Sequence, residues 1–253
     1  MLLTVDVGNT TTGFGCFVGE EVVARFWIGT DRRRMAAEYQ VLIKNLLDLN
    51  RMAAPDRVAI ASVVPPVERE MASALWRSYG VEAKVLVGPN SGLDLAVDFP
   101  AEVGADRVAN ALGALQYHDP RERYLVVDFG TATTFDLVEA PRNYLGGAIA
   151  PGPQTALDAL TLRTAKLPQV ELKLPEHGAV GKNTVEQLQA GLVLGYAGLV
   201  EGMIARIKEV AGEALVIATG GFATTLAPIC PALEVIDPDL TFLGLRVFAG
   251  EVG

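Results

Sequence analysis

Histidine and cysteine are scarce in this chain: His118, His177, Cys16 and Cys230 are all it has in 253 residues. The cysteines stand far apart in apolar surroundings and form no CxxC pair, so neither a Cys/His zinc site nor a disulfide framework is expected. Positive charge is also short. Against 30 Asp and Glu there are 21 Lys and Arg, and the net charge of -9 speaks against a nucleic-acid backbone or an anionic membrane as the main partner. The only tight basic run, Arg32, Arg33 and Arg34, reads as a solvated turn. There is no GxxxxGKS, which excludes a P-loop, and no GxGxxG between a strand and a helix, which excludes a dinucleotide fold. The N-terminus opens directly into LLTVDV, without a basic lead or a small-residue cleavage site, and no charge-free stretch reaches membrane-spanning length. A cytoplasmic protein with reduced thiols is the expectation.

What is present is the material of a large core. Half the residues are hydrophobic and 20% charged, with no long polar tract, so the chain folds as one large domain or as two modest halves on a common plan. Leu2 to Asp6, Gly13 to Val18 and Glu21 to Ile28 read as strands joined by short turns. Met35 to Leu49 reads as a helix with Tyr39, Leu42, Ile43, Leu46 and Leu47 on one side. VAIASVV, a helix over Val67 to Tyr79, AKVLV, and a helix from Ala105 to His118 continue the alternation that marks an α/β protein with a buried sheet.

The pattern then restarts. LLTVDVGNTTTGFGCF and YLVVDFGTATTFDLV share an apolar run, Val-Asp-x-Gly, a polar linker with threonine, and an apolar resumption. Each heads a run of strands and then helices, so duplication is the better reading, with halves over 1–118 and 119–253.

In the second half a helix spans Thr184 to Glu209, with Val185, Leu188, Leu192, Tyr196, Leu199, Met203 and Ile207 in one apolar stripe. Gly191, Gly195, Gly198 and Gly202 recur beside it. Each costs about 0.8–1 kcal/mol in a helix interior relative to alanine, which calls for close packing, either on the protein's own sheet or on a second subunit. LVIATGGF reads as a strand entering a turn, and Thr241 to Ala249 as a final helix or strand remnant.

Asp6 and Asp128 each stand where an apolar strand gives out. A carboxylate is costly mid-strand but useful at a strand end, where it can hold a hydrated cation. The glycine after each allows backbone N–H groups to approach an anion. Thr10, Thr11 and Thr12 in one turn, and Thr131, Thr133 and Thr134 in the other, add hydroxyl donors. Taken singly, each is an ordinary hairpin turn; as a matched pair they suggest a cation and polyphosphate site. ATGGFA, with Gly220 and Gly221, offers a flat backbone surface for a nucleoside. In EVGADRVAN, Asp106 and Arg107 fall in the first turn of a helix. There they either cap it or serve a small-molecule kinase, Asp106 orienting an acceptor hydroxyl and Arg107 holding an anionic substrate. GKNT, Gly181 to Thr184, reads as a helix start capped by Asn183 or Thr184, with Lys182 placed to meet an anion.

The ordered set DVGNT, GADR, DFGTATT, GGAIAPG, GKNT and ATGG, spanning Asp6 to Gly221, resembles the type III pantothenate kinases. The resemblance implies the duplicated ribonuclease-H-like fold of the actin, Hsp70 and sugar-kinase type, with a nucleotide cleft between two similar halves. It implies ATP-dependent phosphorylation of pantothenate to 4′-phosphopantothenate, the first step of coenzyme A biosynthesis, with Mg²⁺ and a monovalent cation, K⁺ or NH₄⁺. Carried onto this chain, Asp6, Val7, Gly8, Asn9, Thr10, Thr11, Thr12 and Gly13 form the first phosphate loop, Asp6 also facing the Mg²⁺. Asp128 ligates the monovalent cation, Thr131 touches ATP, and Gly220 and Gly221 line the nucleotide. Gly104, Ala105, Asp106 and Arg107 bind the substrate, with Asp106 as proton acceptor. Thr184 reaches the substrate across a homodimer interface. One position departs: many relatives carry tyrosine three residues before the proline leading into GADR, where this chain has Val97 ahead of Pro100. A sugar or acid kinase of the same fold, a phosphatase, and a non-catalytic nucleotide-binding regulator are the rival readings. The presence of Asp6, Asp106 and Asp128 together speaks against the last.

Overall fold

LLTVDV is buried at every position but Asp6, as befits a strand covered on both faces. This strand, β1 (Leu2–Val7), pairs antiparallel with β2 (Thr11–Val18), and β2 with β3 (Glu21–Gly29). On its other side β1 runs parallel to β4 (Arg57–Ser62), and β4 to β5 (Ala83–Leu86), giving the order β3-β2-β1-β4-β5. Helices α1 (Ala36–Leu49) and α2 (Pro65–Tyr79) set Tyr39, Ile43, Leu47, Val67, Met71 and Leu75 against Leu3, Val5 and Ile60 of the sheet. A short strand, β6 (Asp94–Leu95), precedes α3 (Ala105–Ala114). α3 stops earlier than its apolar pattern suggests: Leu115–Tyr117 is a tighter 3-10 turn, and His118 takes a left-handed φ of 49°.

The computed structural model describes residues 1–251, and contacts group them into two units. In the second unit, β7 (Arg123–Phe129) repeats the burial of β1, with Asp128 the half-buried position before a buried end residue. It pairs antiparallel with β8 (Ala132–Glu139), which neighbours β9 (Asn143–Pro151). On its other side lie, in parallel, β10 (Leu215–Thr219) and β11 (Val235–Ile236). The order β9-β8-β7-β10-β11 is that of β3-β2-β1-β4-β5, strand for strand. The first residues of β9, Asn143 and Tyr144, group with the first unit, where they pair with Asp94 and Leu95 of β6.

Helices α4 (Pro153–Arg163), α5 (Thr184–Gln189), α6 (Gly195–Ala211) and α7 (Ala223–Leu226) complete the second unit. α4 was not legible in the sequence pattern. Between α5 and α6 lies a π-helical turn, Ala190–Leu194. A wide turn inserts one residue into the helical repeat, and the buried face shifts accordingly. Leu188, Leu192 and Tyr196 are buried as the periodicity predicts, but beyond the turn Val200 and Ile204 are the buried positions, Leu199 is exposed and Met203 packs only at the edge of the core. Among the described residues, Thr184–Ala211 is long and apolar enough to cross a membrane by length and composition alone; half of its most apolar 18-residue window is buried.

The last helix, α8 (Leu240–Glu251), groups with the first unit. There Phe242, Leu245 and Phe248 pack with Val108 and Leu112 of α3. The two helices nearly touch: a β-carbon on Gly244 would lie 1.7 Å from the Ala109 carbonyl oxygen, and one on Gly113 2.4 Å from that of Leu240. Arg25 on β3 anchors the start of α8 through a two-pronged ion pair to Asp239.

Candidate active-site residues in the two units

In the first unit the β1–β2 ladder closes with Asp6 opposite Gly13 and Val7 opposite Thr12. The turn between them is held by Gly8 N–H donating to the Thr11 carbonyl at 3.0 Å, leaving Asn9, Thr10 and Thr11 exposed at its tip. Thr30, just past β3, braces this turn from the side. Its N–H donates to the Thr10 carbonyl at 2.9 Å and its hydroxyl to the Gly8 carbonyl at 2.8 Å, while it shares a 2.9 Å hydroxyl contact with buried Thr12. Two residues on, Arg32 Nη2 donates to Asn9 Oδ1 at 2.9 Å. Gly13 has a packing duty besides: a β-carbon there would meet the Phe242 ring at 2.9 Å and the Trp27 indole at 3.1 Å.

The GADR motif lies at the same end of this sheet. Val63 N–H donates to the Val7 carbonyl at 3.1 Å, and a β-carbon on Gly104 would contact Val63 at 3.6 Å, so the start of α3 stands beside the end of β1. Asp106 is half-buried in the first turn of α3, where its Oδ1 accepts from the Arg107 N–H at 2.8 Å. That oxygen would be 2.5 Å from any β-carbon at 104. Ala105 is buried. The Arg107 guanidinium lies 5.9 Å from the centre of the buried Tyr144 ring, within cation–π range.

In the second unit the corresponding turn is one residue shorter, with Phe129 opposite Thr133, Asp128 opposite Thr134, and Gly130 N–H donating to the Ala132 carbonyl at 3.0 Å. Thr131 is exposed at the tip. Its carbonyl accepts from Gly152 N–H at 2.9 Å and from the Thr155 hydroxyl at 2.6 Å, so the start of α4 seats this turn. Thr133 and Thr134 face elsewhere: Tyr196 donates to the Thr133 hydroxyl at 3.1 Å, and Thr134 donates to Asp136 Oδ2 at 2.9 Å. Strand β10, paired beside Asp128 through Thr219, then turns at Gly220 with a φ of 86°. A β-carbon on Gly220 would lie 2.6 Å from Asp128 Oδ1, while one on Gly221 would meet nothing within 4 Å.

Thr184 stands apart from that turn, exposed at the first position of α5. Asn183, not Thr184, is the cap: its Oδ1 accepts from Glu186 N–H at 3.0 Å. The Glu186 carboxylate accepts from Lys182 N–H at 2.9 Å and contacts His177 Nδ1 at 3.0 Å, and these partners, the Lys182 N–H foremost, hold its pKa below the usual range.

The bracing residues Thr30, Thr155 and Tyr144 are not among those the sequence singles out, and Arg32 reads there only as part of a solvated turn. Only the GGAIAPG segment hinted at one of them, because its Gly152 followed by Pro153 is a helix start.

Two sheets of one strand order, each opening on an antiparallel pair closed by Asp-x-Gly, define a duplicated fold of the actin, Hsp70 and sugar-kinase type. A solved structure of a ROK family glucokinase from Streptomyces griseus, in complex with glucose and AMPPNP, matches it with a TM-score of 0.58 at 11% identity over 98% of each chain. The type III pantothenate kinase family model matches residues 2–206. A type III pantothenate kinase of Thermus thermophilus is 62% identical over 99% of each chain, and one of Roseiflexus castenholzii is 43% identical over 98% of this chain and 97% of its own. The chain belongs to the type III pantothenate kinase family, and it is an enzyme of the kinase class.

Proposed function

We propose that this kinase transfers the γ-phosphoryl group of ATP to the hydroxyl of pantothenate, giving 4′-phosphopantothenate for coenzyme A synthesis. The observation that carries the reading is the placing of Asp106 at the sheet end where β1 delivers the Asp6 turn, in a chain 62% identical to a type III pantothenate kinase. Asp106 takes the role of hydroxyl acceptor and Arg107 that of holding the anionic end of pantothenate, its guanidinium backed by Tyr144. Residues Asp6 to Gly13 bind the ATP phosphates through exposed N–H and hydroxyl donors, and Thr131 adds one from the second unit. Gly220 and Gly221 lie along the nucleoside.

The donor sets fit the ions that this chemistry needs. Asp6 is a carboxylate at a strand end and suits Mg²⁺; Asp128, approached by a glycine that leaves room for nothing larger, suits K⁺ or NH₄⁺. Bound Mg²⁺ supplies charge neutralisation on the polyphosphate. Because phosphoryl transfer passes through a loose transition state, positioning by Asp106 and Arg107 outweighs deprotonation in lowering the barrier.

A homodimer in the cytoplasm, with Thr184 serving the partner's substrate and residues 1–118 and 119–253 as the duplicated halves of the sequence, the last helix α8 grouping with the first unit, completes the proposal. Support for the dimer comes from the glycine-bearing helix. Among the described residues, β-carbons at Gly191, Gly195 and Gly198 would meet nothing within 4 Å beyond their own helix backbone, and Leu199 beside them is 37% exposed. The test is ADP formation from ATP with and without pantothenate, in potassium and in sodium buffer, alongside apparent mass by size exclusion. Pantothenate-independent turnover, or phosphorylation of a sugar in its place, would overturn the assignment.

A further inference from the structure

The first phosphate turn, DVGNTTTG, carries no lysine or arginine of its own. A polyphosphate bound there brings several negative charges to an acidic protein, and a phosphate site built on N–H donors and one divalent ion still leaves net negative charge at the terminal phosphate. The run Arg32, Arg33 and Arg34, which in sequence reads as one solvated turn, divides into three separate environments. Arg34 turns inward, its guanidinium 5.3 Å from the Tyr39 ring centre. Arg33 points to solvent, 95% exposed, with its Nε 3.9 Å from Asp31. Arg32 alone lies on the phosphate turn: its Nη2 donates to Asn9 Oδ1 at 2.9 Å, and the rest of its exposed guanidinium keeps its other donors open. The turn that presents it is tied to the phosphate turn by the three Thr30 contacts, so its position does not depend on the Asn9 bond alone.

We infer that Arg32 is a phosphate-binding residue of this kinase: it supplies the missing cation to the terminal phosphate of the nucleotide held on the Asp6–Gly13 turn. Planar guanidinium donors suit two phosphate oxygens at once, and a contact made to the terminal phosphate strengthens as charge accumulates there during transfer. Asn9 holds the side chain over the turn until nucleotide arrives. The inference rests on the kinase reading for the nucleotide's presence, but it makes a separate demand, that ligands be distinguished by their terminal phosphate.

The full-length protein, wild type and the variants Arg32→Gln, Arg32→Lys and Arg33→Gln, would be titrated calorimetrically with Mg-AMPPNP and with AMP, and assayed for pantothenate-dependent ADP formation. Arg32→Gln should weaken AMPPNP about ten- to hundredfold, the loss of a hydrogen bond to a charged group, while leaving AMP affinity and the KM for pantothenate unchanged. Arg32→Lys should recover part of the loss, and Arg33→Gln should match wild type. Equal weakening of AMPPNP and AMP would assign Arg32 to holding the turn's shape, and unchanged AMPPNP affinity would remove it from the site; either overturns the inference. If Arg32→Gln melts well below wild type, the comparison passes to Arg32→Lys, whose parity with wild type toward AMPPNP and kcat would overturn the bidentate role. Absence of pantothenate-dependent turnover in wild type would count against the kinase reading alone, since the AMPPNP and AMP titrations still report on Arg32.

Discussion

Gly220 and Asp128 are in contact through space that only a glycine leaves open: a β-carbon at 220 would lie 2.6 Å from Asp128 Oδ1 and 2.7 Å from the Phe129 nitrogen. Residue 220 also holds a φ of 86°. Gly220→Ala should therefore cost about 1–3 kcal/mol of stability and displace Asp128. A melting curve and a potassium titration of activity read the two effects. A variant that melts lower than wild type yet keeps an unchanged potassium dependence would refute the assignment of Asp128 to the cation.

Asp106 keeps its carboxylate in the first turn of α3, bonded to the Arg107 N–H. Asp106→Asn preserves the shape and removes the charge. Turnover should fall by at least about 10²-fold, with AMPPNP affinity close to wild type by calorimetry. Near-native turnover would dismiss Asp106 as the hydroxyl acceptor.

A β-carbon on Gly198 would meet nothing within 4 Å beyond the backbone of its own helix. On a free helix surface Gly198→Ala should raise stability by about 0.8–1 kcal/mol. Against a partner subunit it should instead loosen the dimer and shift the apparent mass downward at low protein concentration. The homodimer proposal expects the second outcome, read by sedimentation across a dilution series.

Asp119 and Arg121 form a local ion pair that also engages Glu234: Arg121 Nε lies 2.6 Å from Asp119 Oδ1 and its Nη1 2.8 Å from Glu234 Oε2. The Arg121 side-chain and backbone bonds lower the Asp119 pKa to about 2 from 3.8. A carboxyl depressed in the folded state adds stability above its unfolded pKa and loses it as pH falls through the folded one. The contribution is thus complete near pH 4 and gone below about pH 2. Asp119→Asn should flatten the dependence of stability on pH within that window and leave it unchanged above pH 5; a profile parallel to wild type from pH 4 to 2 would contradict the pairing.

Burial pushes the Cys16 thiol up to about 11 and raises that of Cys230, and both side chains are enclosed. Neither should react with a thiol reagent at pH 8 until the protein unfolds. Fast labelling of the native protein would place one of them at the surface.

Much of the local geometry of the two candidate turns was legible because its signals are local. A carboxylate ending an apolar strand, a glycine after it and hydroxyls beyond it are written in consecutive residues, and Asp6 and Asp128 do close the same antiparallel pair in each unit. Helix starts were likewise readable at GKNT, where the structure chooses Asn183 over Thr184 as the cap, and at Gly104 before Asp106. Less legible were residues whose role is a contact with a distant segment. Thr30 and Thr155 brace the two turns from outside them, and apart from the Gly152-Pro153 helix start ahead of Thr155 nothing in their neighbourhood distinguishes them from other threonines. Thr133 and Thr134 illustrate the converse, since strand alternation sends their hydroxyls to Tyr196 and Asp136.

Sequence by itself determined the duplicated strand pattern, the buried face of α1 and the family, because periodicity and ordered motifs are carried by the order of residues. Tertiary structure decided three further matters. It moved the buried face of α6 by one residue, through a π-turn that a regular repeat does not contain. It returned α8 to the first unit, where Gly113 and Gly244 let two helices nearly touch. And it brought Arg32 onto the Asp6–Gly13 turn while sending Arg33 and Arg34 elsewhere. Each depends on which remote backbone passes nearby, a property of chain closure and packing that no local pattern encodes.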